Sequence, residues 1–221
     1  MRYFTIVTLA IFFSAFTGVA QVSDFMVWQG LSIEKKLTKT NSFEVSQSLR
    51  INENATIPYK FLIETGWNHR FSKSLKTALV YRFIVKDAFE NSQYGHRFYA
   101  DISLRKKINH WQFGWRIRMQ STYFATASDG GFLTENINRH KLSLTYKRKK
   151  LPVSPFAEYE FFVPLGLFPS VPVSENRYGI GISYKINKHQ NFSVRYRLMQ
   201  PLTKNIPQNN YVLGIKWKIN L

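Results

Sequence analysis

No cysteine occurs among the 221 residues, which excludes a disulfide scaffold, thiolate catalysis and thiolate metal sites. Acidic residues are scarce. Asp and Glu number 13 against 31 Lys and Arg, a formal charge of +18. Outside the N-terminus, no stretch approaches the ~20 apolar residues that a membrane-spanning helix needs, so a helical membrane protein is excluded. Helical spacing is missing from every long segment as well. Aromatics, by contrast, are plentiful, with 19 Phe, 12 Tyr and 5 Trp, and this argues against a disordered chain.

The single long apolar run, Thr5 to Phe16, follows Met-Arg-Tyr-Phe and precedes small residues at Gly18 and Ala20. That order reads as a secretory signal over residues 1–20, cleaved before Gln21, with one domain over 21–221 behind it. The exported chain is then expected in the periplasm, outer membrane or exterior of a bacterium.

Behind this segment apolar and polar residues alternate with period two, the pattern of strands with one wet and one dry face. Eleven runs are readable, near 28–37, 42–51, 59–71, 75–86, 96–108, 111–123, 139–147, 154–163, 176–186, 191–200 and 210–220. In 111–123 one phase is Trp111, Phe113, Trp115, Ile117 and Met119, and the other is Gln112, Gly114, Arg116, Arg118 and Gln120. Short links such as Thr38–Asn41, Ser72–Ser74 and Asn109-His110 alternate with longer ones such as Asp87–Gly95 and Phe124–Asn138. The chain is all-β, an antiparallel meander with one plain end and one elaborate end.

A meander can close with its apolar face inward, as in a soluble ligand-binding barrel, or outward against lipid. Three features favour lipid. Ionisable residues of the apolar phase (Lys35, His69, His96, Lys106, His140) fall near run ends, where lipid tolerates them. Aromatics such as Phe43, Trp67, Phe71, Trp111, Tyr123, Tyr146, Tyr184 and Trp217 crowd the ends of that phase, as interfacial girdles do. The polar phase mixes arginines with Gly30, Gly66, Gly114, Gly179, Gly181 and Gly214, as a crowded lumen requires. The last run, with Gly214, Trp217 and Ile219 alternating to Leu221, suits an outer-membrane assembly signal. Bacterial single-chain barrels have even strand numbers. The expectation is therefore a transmembrane up-and-down barrel of about 12 strands, or 10. A twelfth strand would come from Val22–Trp28 or Phe132–Ile137, unless Gln21–Val27 threads the lumen.

The chain resembles the outer-membrane family called domain of unknown function 2490. The likeness rests on Trp28 with Glu34-Lys35-Lys36-Leu37, Arg50, Tyr81-Arg82, Arg97 with Asp101, and Trp115-Arg116-Ile117-Arg118. Arg139, Pro155 with Glu158, Arg177-Tyr178-Gly179 and Tyr196-Arg197 complete it. The resemblance implies an outer-membrane barrel without an assigned activity and carries over no catalytic residues.

Chemistry-bearing motifs are few. No His-x-Ser pair exists, and His140 with Ser143 would point to opposite faces of a strand, so a lipid hydrolase built on such a pair is disfavoured. The five histidines are scattered one to a segment, without metal-site spacing, and no cofactor is implied. Export and strand-phased charge speak against nucleic acid. The expected surroundings are outer-membrane lipid and lipopolysaccharide, with the barrel-assembly machinery as a partner and the chain a monomer.

One constellation stands out. Glu44, Arg50, Glu64, Arg82, Arg97, Asp101, Arg116, Arg118, Arg139, Glu158, Glu160, Arg177, Arg195 and Arg197 share the polar phase, many in the loop-proximal half of their strands. Inside a narrow barrel they should form an Arg–carboxylate network that rigidifies the lumen, or leave surplus arginine to favour anions in a narrow channel. A lipid-modifying enzyme and a soluble periplasmic ligand-binding barrel are the alternative functions.

Overall fold

In the computed structural model the described residues are 22–87, 92–125, 132–148, 151–166, 172–203 and 208–221. The expected signal segment 1–20 and the Asp129-Gly130-Gly131 stretch lie outside them. Eleven strands close into one barrel: β1 Val22–Lys36, β2 Asn41–Asn52, β3 Ile57–Arg70, β4 Leu75–Lys86, β5 Gln93–Ile108, β6 Trp111–Ala125, β7 Phe132–Tyr146, β8 Val153–Pro164, β9 Glu175–Lys185, β10 Gln190–Pro201 and β11 Gln208–Asn220. Each is paired with its sequence neighbours in antiparallel register, and β1 pairs with β11.

The expected count of 12, or 10, is corrected to 11. The segments offered as a missing strand are extensions of strands already counted. Val22–Trp28 carries β1 back to the loop end beside Gln208–Gly214, and Phe132–Ile137 carries β7 beside Gln120–Ala125. No turn separates either from its strand, and Val22–Trp28 lies in the wall, not the lumen. An odd count has a geometric consequence: ten reversals leave the first and last strands running the same way. The closing pair is therefore parallel, from Val22 opposite Gln208 to Glu34 opposite Asn220. A parallel ladder is slightly weaker per residue. This one is tied at the short-turn end, where Leu221 N donates to Glu34 O at 2.8 Å and Lys36 N donates to Leu221 O at 3.3 Å.

Short links at the plain end are closed by side chains that mimic backbone turns. Thr38 Oγ1 accepts from Asn41 N at 2.9 Å, Ser72 Oγ from Leu75 N at 3.0 Å, and Asn187 Oδ1 from His189 N and Gln190 N at 2.8 Å. The two-residue link Asn109-His110 places Asn109 in the left-handed region (φ 52°), which Asn tolerates better than most residues. At the other end Glu53, Asn54 and Ala55 all have positive φ, and the Asp24 carboxylate accepts from Asn54 N at 2.8 Å and Glu53 N at 3.3 Å.

The barrel is inside-out relative to a soluble protein. Leu79 is 67% exposed and Ile180 64%, whereas Arg118 and Glu160 are 6% and 4% exposed. Charged groups are normally the exposed ones, so a soluble barrel packed around its apolar face requires the opposite arrangement. Aromatics band the outer face near both rims. Trp111 packs edge-on against Tyr146 at the short-turn end, and Tyr81–Phe98, Tyr159–Tyr178 and Tyr196–Tyr211 pair toward the loops.

One outward ionisable residue departs from expectation. Because β7 begins at Phe132, His140 sits near mid-strand, not at a run end, paired with Ile117 and Phe161. Its ring stacks on Phe161 (4.8 Å between centroids) and against Trp115 (6.1 Å), so its flat faces present as another aromatic.

Candidate functional site

Parity alone places the inner residues. Side chains two apart share a face, so Arg82 brings Lys76 and Lys86 inward on β4, and Arg118 brings Arg116 and Gln120 inward on β6. The barrel wall then stacks these sets side by side: Glu64 opposite Arg82, Arg82 opposite Arg97, Asp101 opposite Arg118, Arg118 opposite Arg139, Glu160 opposite Arg177, and Gly181 opposite Arg195.

Three groupings result. On the β3–β6 side, Arg118 donates Nε and Nη2 to the two Asp101 oxygens, both at 2.7 Å, and its guanidinium lies 3.6 Å from the centroid of Tyr99. Tyr99 Oη donates to Glu64 Oε2 at 2.7 Å, and Glu64 is ion-paired with Arg82. Next along the wall, Glu160 Oε1 receives Arg116 Nη2 at 2.6 Å and Arg139 Nη2 at 3.0 Å. Phe162 lies under both Arg139 and Arg177, each guanidinium 4.3 Å from its centroid, and Arg177 is forked onto Glu175. Toward the short turns, Glu158 takes Arg197 at 2.9 Å, Arg195 at 3.0 Å and Lys141 at 3.3 Å. Gly179 makes room for this hub, because a Cβ there would lie 2.9 Å from Glu158 Cγ. Glu44 stands apart near the short-turn end, with Lys218 at 3.2 Å and Lys216 at 3.8 Å.

Arg50 and Arg97 join no carboxylate among the described residues. Arg97 Nε donates to Thr122 Oγ1 at 2.8 Å, and the Arg50 guanidinium stacks 3.9 Å over the Trp28 ring.

These side chains enclose a cavity of about 530 Å³, lined by twelve Lys and Arg against five Glu. A second chamber of about 640 Å³ opens at the short-turn end. Lys141, Ser193 and Arg195 line both, and Glu158 holds two of those three. Charge pairs in such a confined space are strong because little water screens them, and a group left unpaired there is correspondingly costly.

The fourteen charged residues singled out from the sequence all lie on the inward phase, but the aromatic floor that organises them was not among them. Trp28, Tyr99, Phe156 and Phe162 each stack with at least one arginine. Lys60, Lys141, Lys216, Lys218, Glu34 and Glu175 were missed too, although each is in phase with a residue that was named. Counting by twos from Arg97 reaches Tyr99, and from Glu160 reaches Phe162. His140 and Ser143 fall on opposite faces; Ser143 points inward, with its Oγ 3.4 Å from Gly114 O.

Comparison with known proteins agrees with the fold. The NanC porin, seen in a rhombohedral crystal form, superposes with a TM-score of 0.54 at 12% identity, over 90% of this chain and 99% of that one. The β domain of the Bordetella autotransporter BrkA gives 0.49 at 11% identity, over 82% of each chain. LpxR from Salmonella typhimurium gives 0.47 at 10%, over 81% of this chain and 83% of that one. No curated protein matches the sequence. This is an outer-membrane-type β-barrel. Residues 25–211 match the family model described as protein of unknown function (DUF2490), and the chain belongs to that family.

Proposed function

We propose that the protein resides in the outer membrane of a Gram-negative bacterium and that its lumen is a narrow, anion-preferring channel. The excess of twelve basic over five acidic side chains around the inner cavity carries this reading. Rings of Arg and Lys favour anions in pores, and low-dielectric walls focus their field. Barrels of about eight strands are filled by side chains and those of 16–18 hold open channels. Eleven strands fall between, in keeping with chambers of a few hundred cubic ångströms instead of a wide pore. The outer apolar face with its aromatic bands suits lipid and lipopolysaccharide around it.

Planar-bilayer recording on the purified barrel under a KCl gradient tests the reading. A small conductance is expected, with a reversal potential on the chloride side. Cation preference, or no conductance at any applied voltage, overturns the channel and leaves a barrel whose network only rigidifies the lumen.

A further inference from the structure

The ion pairs of the lumen are unevenly distributed. Carboxylates accompany Arg82, Arg116, Arg118, Arg139, Arg177, Arg195 and Arg197. Arg50, Lys60 and Arg97 have none within ion-pair distance among the described residues. All three line the inner cavity toward its loop end. Arg50 lies opposite Lys60 across β2–β3, and Arg97 lies opposite Arg82 across β4–β5. Arg50, Arg97, Arg82 and Lys86 are all near enough to Lys60 to repel it, and Arg97, Arg82 and Arg177 are near enough to repel Arg50.

A second observation points at a ligand. Among the described residues, Arg50 Nε is buried without a hydrogen-bond partner, and so is Trp28 Nε1, the indole over which Arg50 stacks. Both are donors only. A cluster of cations carrying more charge than the Glu135 carboxylate near Arg97 offsets, edged by orphaned donors, calls for an acceptor that donates nothing back, which is an anion. Arg50 and Lys60 lie side by side on β2 and β3 and Arg97 two strands further on, on β5, so the three cations are spread along one arc of the wall. A planar carboxylate offers two oxygens in one plane. A tetrahedral oxyanion offers acceptors toward all three, and a doubly charged one offsets more of the repulsion.

From this placement we propose that the loop-side half of the lumen is a binding site for a phosphate-class dianion, held by Arg50, Lys60 and Arg97. The Arg groups supply paired N–H donors and Lys60 a compact point charge. The proposal deepens the anion-channel reading and rests on the same basic lumen, but it does not require that ions cross. The phosphate group can belong to a free solute or to a lipid headgroup reaching the rim, and the chemistry recognised is the same.

The test is calorimetric titration of inorganic phosphate into the full barrel in alkyl-maltoside micelles, which carry no phosphate. Saturable binding is expected, with chloride competing only at large excess. Arg50→Gln, Lys60→Gln and Arg97→Gln should each weaken binding about tenfold or more, whereas Arg105→Gln, exposed at the short-turn end, should leave it unchanged. Heat-modifiable gel mobility checks that each variant is folded. Repeating the titration with phosphatidic acid in the micelles separates the sources: suppressed phosphate binding assigns a lipid headgroup, and unchanged binding a free solute. Absence of saturable binding by the unaltered protein, or equal affinity in all three folded variants, overturns the site. Bilayer conductance read in parallel keeps the two ideas apart. Anion selectivity without phosphate binding removes this site alone, and phosphate binding without conductance removes the channel alone.

Discussion

Arg118 meets Asp101 through two parallel hydrogen bonds, Nε and Nη2 each 2.7 Å from a carboxylate oxygen, with the guanidinium resting on the ring of Tyr99. The pair bridges β5 and β6 and is buried on both sides. Removing one partner of such a pair leaves the other uncompensated, at a cost of about 3–5 kcal/mol, whereas replacing both by apolar side chains is often neutral. Asp101→Ala should therefore lower the temperature at which the barrel unfolds in gel-mobility assays. Asp101→Leu combined with Arg118→Met should recover most of the loss. A double variant no better than the single one would show that the loss does not come from an uncompensated Arg118.

Glu158 is the hub for Arg195, Arg197 and Lys141, and it stands where the two chambers share a wall. Glu158→Gln removes one negative charge and leaves Arg195, Arg197 and Lys141 without that carboxylate. In bilayer recordings, chloride preference and single-channel conductance should both rise. Since Gln keeps the size of Glu while exchanging one acceptor oxygen for an NH2 donor, a change in selectivity would report the lost carboxylate and not shape.

How far the sequence reaches can be judged residue by residue. Alternation located all eleven strands and assigned Arg82, Arg118 and Glu160 to the inner face, because a period of two ties each side chain to its neighbours two away. The strand number went wrong through a general rule about even counts, applied against eleven visible runs. No turn separates Val22–Trp28 from the rest of β1, or Phe132–Ile137 from the rest of β7. His140 was misplaced because the polar stretch Thr134–Asn138 interrupts the apolar phase and hides the first half of β7. Which arginine meets which carboxylate was not legible. That depends on register between strands, and on how Trp28, Tyr99 and Phe162 take up space across the lumen.

The outward face makes its own demand. Ile180 lies at the middle of β9, paired with Ala157 and Tyr196, and is 64% exposed. An arginine at the bilayer midplane of a barrel costs about 2–4 kcal/mol, and one near the interface about 0–1. Ile180→Arg should sharply reduce folded barrel in lipid vesicles, measured as the heat-modifiable fraction, while Val153→Arg at the first residue of β8 should change it little. Equal yields for the two variants would mean that this face does not meet hydrocarbon.

The parallel seam between β1 and β11 is the remaining structural peculiarity, and Lys218 spans it. Its Nζ lies 2.5 Å from Glu34 on β1 and 3.2 Å from Glu44 on β2, so one side chain on the last strand ties together the first two. Glu34 also accepts from Ser42, which fixes the carboxylate in place. A seam of weaker ladder bonds should lean on this clamp more than an antiparallel pair would. Lys218→Ala leaves Glu34 and Glu44, opposite each other across β1–β2, without the cation that ties them to β11. Hydrogen exchange followed by mass spectrometry should then show faster exchange in β1 and β11 than in the β5–β6 hairpin, where the ladder is antiparallel. If exchange rises equally around the barrel, or not at all, the closure does not depend on Lys218.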